Sequence, residues 1–108
     1  MEVVVKNIIN STIAVFHNDG LLVFSHLEKA FSNKEHVELS FEGIERCATQ
    51  FLNACVGKLY LLNDPTLVDS FIQYNYANLP NLEDKIREVR DNAINSKEYD
   101  SLVNNASN

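Results

Sequence analysis

Tryptophan is absent, methionine occurs once, and the 108 residues hold three glycines, two prolines and two cysteines. Each scarcity closes something off. Gly20, Gly43 and Gly57 stand at no spacing that would cradle a phosphate, which excludes a glycine-rich nucleotide loop. Cys47 and Cys55 match neither a zinc-site spacing nor a redox C-x-x-C pair, and they suit a reduced compartment. His17, His26 and His36 are not grouped with carboxylates or cysteines at metal-ligand spacings, so neither a metal nor a cofactor is expected. Lysine and arginine number 9 against 15 aspartates and glutamates, a net charge of -6. That balance argues against gripping nucleic acid, because phosphate-backbone binding needs basic residues clustered on one face. Lys85, Arg87 and Arg90 come nearest, but they are interleaved with Glu83, Asp84, Glu88 and Asp91 and read as a solvated helix face with its own ion pairs. No apolar run is long enough to cross a membrane, and the opening Met1 to Lys6 lacks the basic head and apolar core of a signal peptide. A cytoplasmic protein is expected.

What is present is enough for one core. With 45% apolar residues, 108 residues make a single domain, expected over 1–98. Residues 99–108 offer a core little to hold and are expected to fray. The chain is organised around Val37 to Tyr60. Val37, Leu39 and Phe41 alternate with Glu38 and Ser40 as in a strand, and Glu42-Gly43 breaks the pattern. Beyond Ile44 the period becomes helical, with Phe51, Cys55 and Leu59 at four-residue steps and Leu52 and Val56 widening the stripe. A strand, a turn and a helix that lies back on the strand form the first half of a βαβ unit, where ligands and partners gather outside the carboxyl ends of the strands.

The flanks fill in an α/β fold. Glu2 to Ile9 is rich in β-branched residues and predicts a strand, and Ile13 to Phe16 a second, short one. Leu21, Phe24, Leu27 and Phe31 predict a helix over 19–32. Asp64-Pro65 opens a short helix to about Asp69. Phe71 to Tyr76 predicts a strand parallel to the central one, and Asn81 caps a last helix whose apolar face is Leu82, Ile86, Val89 and Ala93. Gly57 inside the central helix costs about 1 kcal/mol relative to alanine, so it predicts close packing there.

Catalytic constellations are not legible. Ser25 and His26 are neighbours that point apart on a helix, and Glu42 and Glu45 flank the turn as ordinary surface carboxylates. His26 is expected to be partly buried beside the apolar stripe, and Cys47 to face inward. Tyr60, Tyr74 and Tyr76 fit core and sheet packing better than a stacking platform, because no basic groove accompanies them.

The run L-S-F-E-G-I, followed by C-A-T-Q-F-L-N-A-C-V-G-K-L, resembles the strand, turn and helix signature of bacterial STAS-like domains of unknown function, relatives of the anti-sigma-factor antagonist (STAS) fold. The resemblance reaches, more thinly, over about the first ninety residues. It implies a small cytoplasmic α/β domain that works by binding partners, with no biochemical activity supplied. In the STAS antagonists a serine or threonine at the start of this helix is phosphorylated by a partner kinase, and on the turn Thr49 aligns with that position. A dianion there would meet unpaired amides and the positive end of the helix dipole. The surroundings depart from the antagonist pattern, with Ala48 in place of an aspartate, Gln50 of a second hydroxyl and Phe51 of a glycine. Thr49 is therefore read first as a helix cap and second as a candidate phosphosite.

The expected architecture is a STAS-like sandwich, a mixed sheet of about four strands covered mainly on one side by helices. The expected function is a non-enzymatic interaction module that docks a partner protein through 42–53, with Arg46, Thr49, Gln50 and Asn53 as the contact face. The partner class implied is a histidine-kinase-like ATPase or another signalling protein. The alternatives are a phosphorylation-switched antagonist and, from a different class, an enzyme accessory or small-molecule binder using the strand-end crevice. The last would need convergent polar groups, and none is legible in the sequence.

Overall fold

In the computed structural model the backbone is described for residues 1–106 and the side chains for residues 1–97. The chain opens with β1 (Glu2–Val4), turns at once into α1 (Val5–Ile9), and continues through β2 (Ile13–Ala14), α2 (His17–Ser32) and β3 (Val37–Ser40). Next, β4 (Arg46–Cys47) runs into a long helix made of α3 (Thr49–Leu52), a π-helical turn (Asn53–Gly57) and α4 (Lys58–Leu62). The short helix α5 (Pro65–Phe71), the strand β5 (Ile72–Asn75) and the helix α6 (Leu82–Ala106) complete it.

The α/β class and the one-sided cover are as expected, and the strands are divided differently. Among the described residues five strands form two wholly parallel sheets, one ordered β1-β3-β5 and one pairing β2 with β4, in place of one mixed sheet of about four strands. In the larger sheet Val3, Leu39 and Tyr74 stand in one register row, and Glu2, Glu38 and Gln73 in the adjacent one. The first row faces the helices, with Val3 and Leu39 buried, while the second lies exposed on the far side. Because both crossovers advance in the same direction across the sheet, right-handed connections place α2 and the 49–62 helix on the same face.

Two elements correct the sequence reading. The segment Glu2 to Ile9 is a strand only as far as Val4, since Val5, Ile8 and Ile9 have the spacing of a helical stripe and pack against the core in that form. Asn10, with φ 53°, ends that helix in the left-handed region. The stretch between Ile44 and the helix, expected only as a turn, holds the strand β4, because Ala48 N–H donates to Ala14 O at 3.0 Å and keeps 46–48 extended beside β2. The short helix after Asp64 and the strand that follows it stand where the sequence placed them. Asp64 caps α5, its Oδ1 accepting from Thr66 N–H at 2.8 Å, and β5 runs parallel to β3. The tail expected from residue 99 falls largely outside the described residues, since side chains are described to Lys97 and the helical backbone to Ala106.

The 49–62 helix is the centre of the core. Phe51, Leu52, Cys55, Val56 and Leu59 are wholly buried, and the phenylalanine, leucine and valine side chains are each worth roughly 1.5–3 kcal/mol of transfer free energy. The helix is gripped from two sides at glycines. A Cβ on Gly20 of α2 would lie 2.5 Å from the carbonyl oxygen of Phe51, and a Cβ on Gly57 would lie 3.2 Å from Val89 Cγ1 of α6. The π-helical turn lies between these crossings, and Gly57 returns its helical cost as the close approach to α6.

Candidate functional site

The surface from Glu42 to Asn53 is held by backbone bonds on both flanks. At the end of β3, the buried Ser40 Oγ accepts from Glu42 N–H at 3.3 Å and from Asn75 Nδ2 at 3.4 Å. Gly43 makes the turn at φ 81°, a conformation costly for any residue with a Cβ, and Ile44 N–H closes it onto Phe41 O at 3.0 Å. The chain then docks on the segment before β2, with Glu45 N–H donating to Thr12 O at 2.8 Å. Phe41, Ile44, Cys47, Phe51 and Leu52 turn inward, and Arg46, Thr49, Gln50 and Asn53 are all exposed. All four expected contact residues therefore stand on one short, firmly anchored stretch.

Thr49 does not cap the helix. The N-cap is Ala48, with φ -98° and ψ 152° and no side-chain bond to the first-turn amides, while Thr49 is the first helical residue. Pairing of Ala48 with Ala14 fixes the helix start one residue earlier than the capping reading required. The Thr49 side chain is exposed and its hydroxyl makes no hydrogen bond among the described residues. His26 is also exposed, because α2 turns Val23, Phe24, Leu27 and Ala30 inward and leaves His26 outside.

Both thiols are buried and unreactive in character. Burial pushes Cys47 up to about 11, against a partial lowering by the Lys85 charge. It pushes Cys55 up to about 12. Among the described residues no group of three or more histidine, cysteine or carboxylate side chains gathers as a metal site.

A crevice of about 380 Å³ opens beside this surface, outside the carboxyl ends of β2 and β4. Its apolar lining includes Val15, Leu79 and Leu82, and its charged lining is Glu45, Arg46 and Lys85. Tyr76 to Asn81, the loop that closes it, is tightly wound. Ala77 and Asn78 both have positive φ, at 53° and 61°, Leu79 N–H bonds Tyr76 O at 3.0 Å, and Asn75 Oδ1 accepts from Ala77 N–H at 3.0 Å. This loop and Lys85 were not legible as part of the site. Lys85 sits 38 residues from Cys47 in sequence, yet its Nζ donates to Cys47 O at 3.0 Å and fastens α6 to β4. The sequence signal was only a strand followed by Pro80-Asn81 and a helix, the geometry that brings a βα loop to the strand ends.

The basic grouping on α6 is more than a solvated face. Arg87 does pair with Glu83 and Asp84 on its own helix. Arg90 instead reaches α5, where its Nε and Nη2 meet both oxygens of Asp69 at 3.0 and 2.6 Å. Tyr60 O–H donates to Asp69 Oδ1 at 2.6 Å, and the Arg90 guanidinium stands 5.3 Å from the centre of the Tyr60 ring. The hydrogen bonds from Arg90 hold the Asp69 carboxyl below its ordinary value, and burial, helped by Asp69, pushes the Tyr60 phenol up to about 12. This network binds α4, α5 and α6 together, and Tyr60, Asp69 and Arg90 take no part in the crevice lining. Lys97 adds a clasp, donating to Asn63 O at 2.9 Å just past the end of α4.

A family model described as a STAS-like domain of unknown function (DUF4325) matches residues 19–80. The match takes in α2, the β3 turn, the central helix and β5. No curated protein and no solved structure matches the chain.

Proposed function

The chain belongs to the STAS-like domains of unknown function, and from that premise we propose that it is a non-enzymatic interaction module that docks a partner protein through residues 42–53. The observation that carries this reading is the arrangement of Arg46, Thr49, Gln50 and Asn53. They are four exposed polar side chains interleaved with the buried Cys47, Phe51 and Leu52, on a backbone tied through the Arg46 and Ala48 amides to Thr12 O and Ala14 O. A pre-organised surface of this kind loses little conformational entropy on binding. The partner is proposed to be a signalling protein such as a histidine-kinase-like ATPase, and the compartment the cytoplasm. No helix among the described residues is long and apolar enough to cross a membrane.

One observation supports a second reading, a phosphorylation-switched regulator. Thr49 presents an exposed, unengaged hydroxyl at the first helical position, where a phosphate would meet the uncapped first-turn amides.

Site-specific photocrosslinking in the native host tests docking. A crosslinker at Gln50 or Asn53 should trap one protein that a crosslinker at Glu28, on the outer side of α2, does not trap. Equal yields from both positions, or trapping from Glu28 alone, would rule the 42–53 surface out.

A further inference from the structure

The three arginines of this acidic chain are used unequally. Arg87 and Arg90 each hold carboxylates of the chain itself, at 3.4 Å and at 2.6 to 3.0 Å. Arg46 has neither an ion-pair partner nor a side-chain hydrogen bond among the described residues, although it is exposed at the mouth of the 380 Å³ crevice. Its backbone is fixed, because β4 pairs with β2. Lys85 stands on the same lining with its ammonium drawn in by Cys47 O at 3.0 Å, which uses one of three N–H donors. The carboxylate on that lining, Glu45, is itself engaged, its Oε2 accepting from the Thr12 hydroxyl at 3.1 Å. Two cations therefore face one anion in a cleft with an apolar floor of Val15, Leu79 and Leu82, on a molecule whose net charge is -6. The local charge is opposite in sign to the whole.

We propose that this crevice receives an acidic segment of the partner protein, an aspartate or glutamate paired with Arg46 and Lys85 beside an apolar side chain seated on Leu79 and Leu82. The proposal rests on the docking reading above and names the chemistry of what docks. It also extends the contact surface from 42–53 to the β5–α6 loop and the first turn of α6. Arginine suits the role, since its guanidinium can meet both carboxylate oxygens at once in a partly desolvated cleft.

The probe is a displayed library of random twelve-residue peptides selected against the full chain. The selected peptides should carry aspartate or glutamate beside an aliphatic or aromatic residue, and amide chemical shifts should move at Arg46, Ala48 and 79–85. Arg46→Gln should weaken them on the order of tenfold, and Arg46→Lys should recover part of the loss. Raising salt from 50 to 500 mM should weaken binding to the native chain more than to Arg46→Gln, in which only the Lys85 charge remains. Arg46 is exposed, so its exchange leaves the core untouched, and an unchanged urea midpoint confirms the variant is folded. Peptides that perturb 42–53 but lack acidic residues, or that bind Arg46→Gln equally well, overturn the acidic segment while leaving docking in place. Peptides that perturb neither 42–53 nor 79–85 overturn both. Acetate or inorganic phosphate giving the same shifts at the peptide's own concentration overturns a protein segment in favour of a free anion.

Discussion

Gly20 and the carbonyl oxygen of Phe51 set how closely α2 approaches the central helix, since a Cβ on Gly20 would sit 2.5 Å from that oxygen and 2.7 Å from Ala54 Cβ. Both obstructing atoms are rigid, one of them backbone. Gly20→Ala gains about 1 kcal/mol of helix propensity, but overpacking of this kind costs about 1–3 kcal/mol, and the blocked backbone puts it at the upper end. The variant should be net destabilised, read as a lower urea midpoint with an unchanged slope. A midpoint equal to or above that of the native chain would mean that the two helices can move apart freely.

The Asp69–Arg90 pair makes stability depend on pH in a stated direction. Arg90 lowers the Asp69 carboxyl in the folded chain, so Asp69 contributes stability that is present above the unfolded value of about 3.9 and lost as pH falls through the lowered one. The gap in urea midpoint between the native chain and Asp69→Asn should be constant from pH 7 to 5 and shrink below about pH 4. A gap that widens on acidification would reverse the assignment. The pair is partly exposed, with side chains 32% and 43% accessible, so the effect should be modest.

Cys47 and Cys55 should resist alkylation in the folded chain. With thiols raised to about 11 and about 12, very little thiolate exists at pH 8, and burial blocks the reagent as well. Iodoacetamide should modify neither within a time that modifies both in 6 M urea, as counted by mass spectrometry. Rapid labelling of Cys47 alone would show the crevice wall opening at β4.

Thr49→Ala should leave stability within about 0.5 kcal/mol, because the side chain makes no capping bond to lose. A loss of about 1 kcal/mol would restore the cap. Mass spectrometry of the chain from its native host decides the switch. A phosphate mapped to Thr49 that alters partner affinity would favour the regulated form of docking, and its absence under all growth conditions would remove it.

The central motif was legible because it is local. Leu39 and Phe41 alternate, Gly43 turns, and Phe51, Cys55 and Leu59 keep helical period, so each step is encoded within a few residues. The exposed quartet followed from the same pattern, as the positions left over once the inward ones are assigned. What escaped was long-range. Val5, Ile8 and Ile9 carry β-branched propensity and helical spacing together, and burial against the core decided for the helix. The pairing of Ala48 with Ala14, which moved the helix start and stripped Thr49 of its capping role, joins segments that share no local signal. The same is true of Lys85 on Cys47 and of Arg90 on Asp69, where charges that look self-sufficient along α6 are spent on other elements.

Docking through the strand-end surface is most directly tested by amide hydrogen exchange on the chain alone and in complex with the protein trapped by the Gln50 crosslinker. The complex should slow exchange across 45–53 and 79–85 and leave the open sheet face around Glu2, Glu38 and Gln73 unchanged. Protection confined to that sheet face, with 45–53 exchanging as in the free chain, would contradict it.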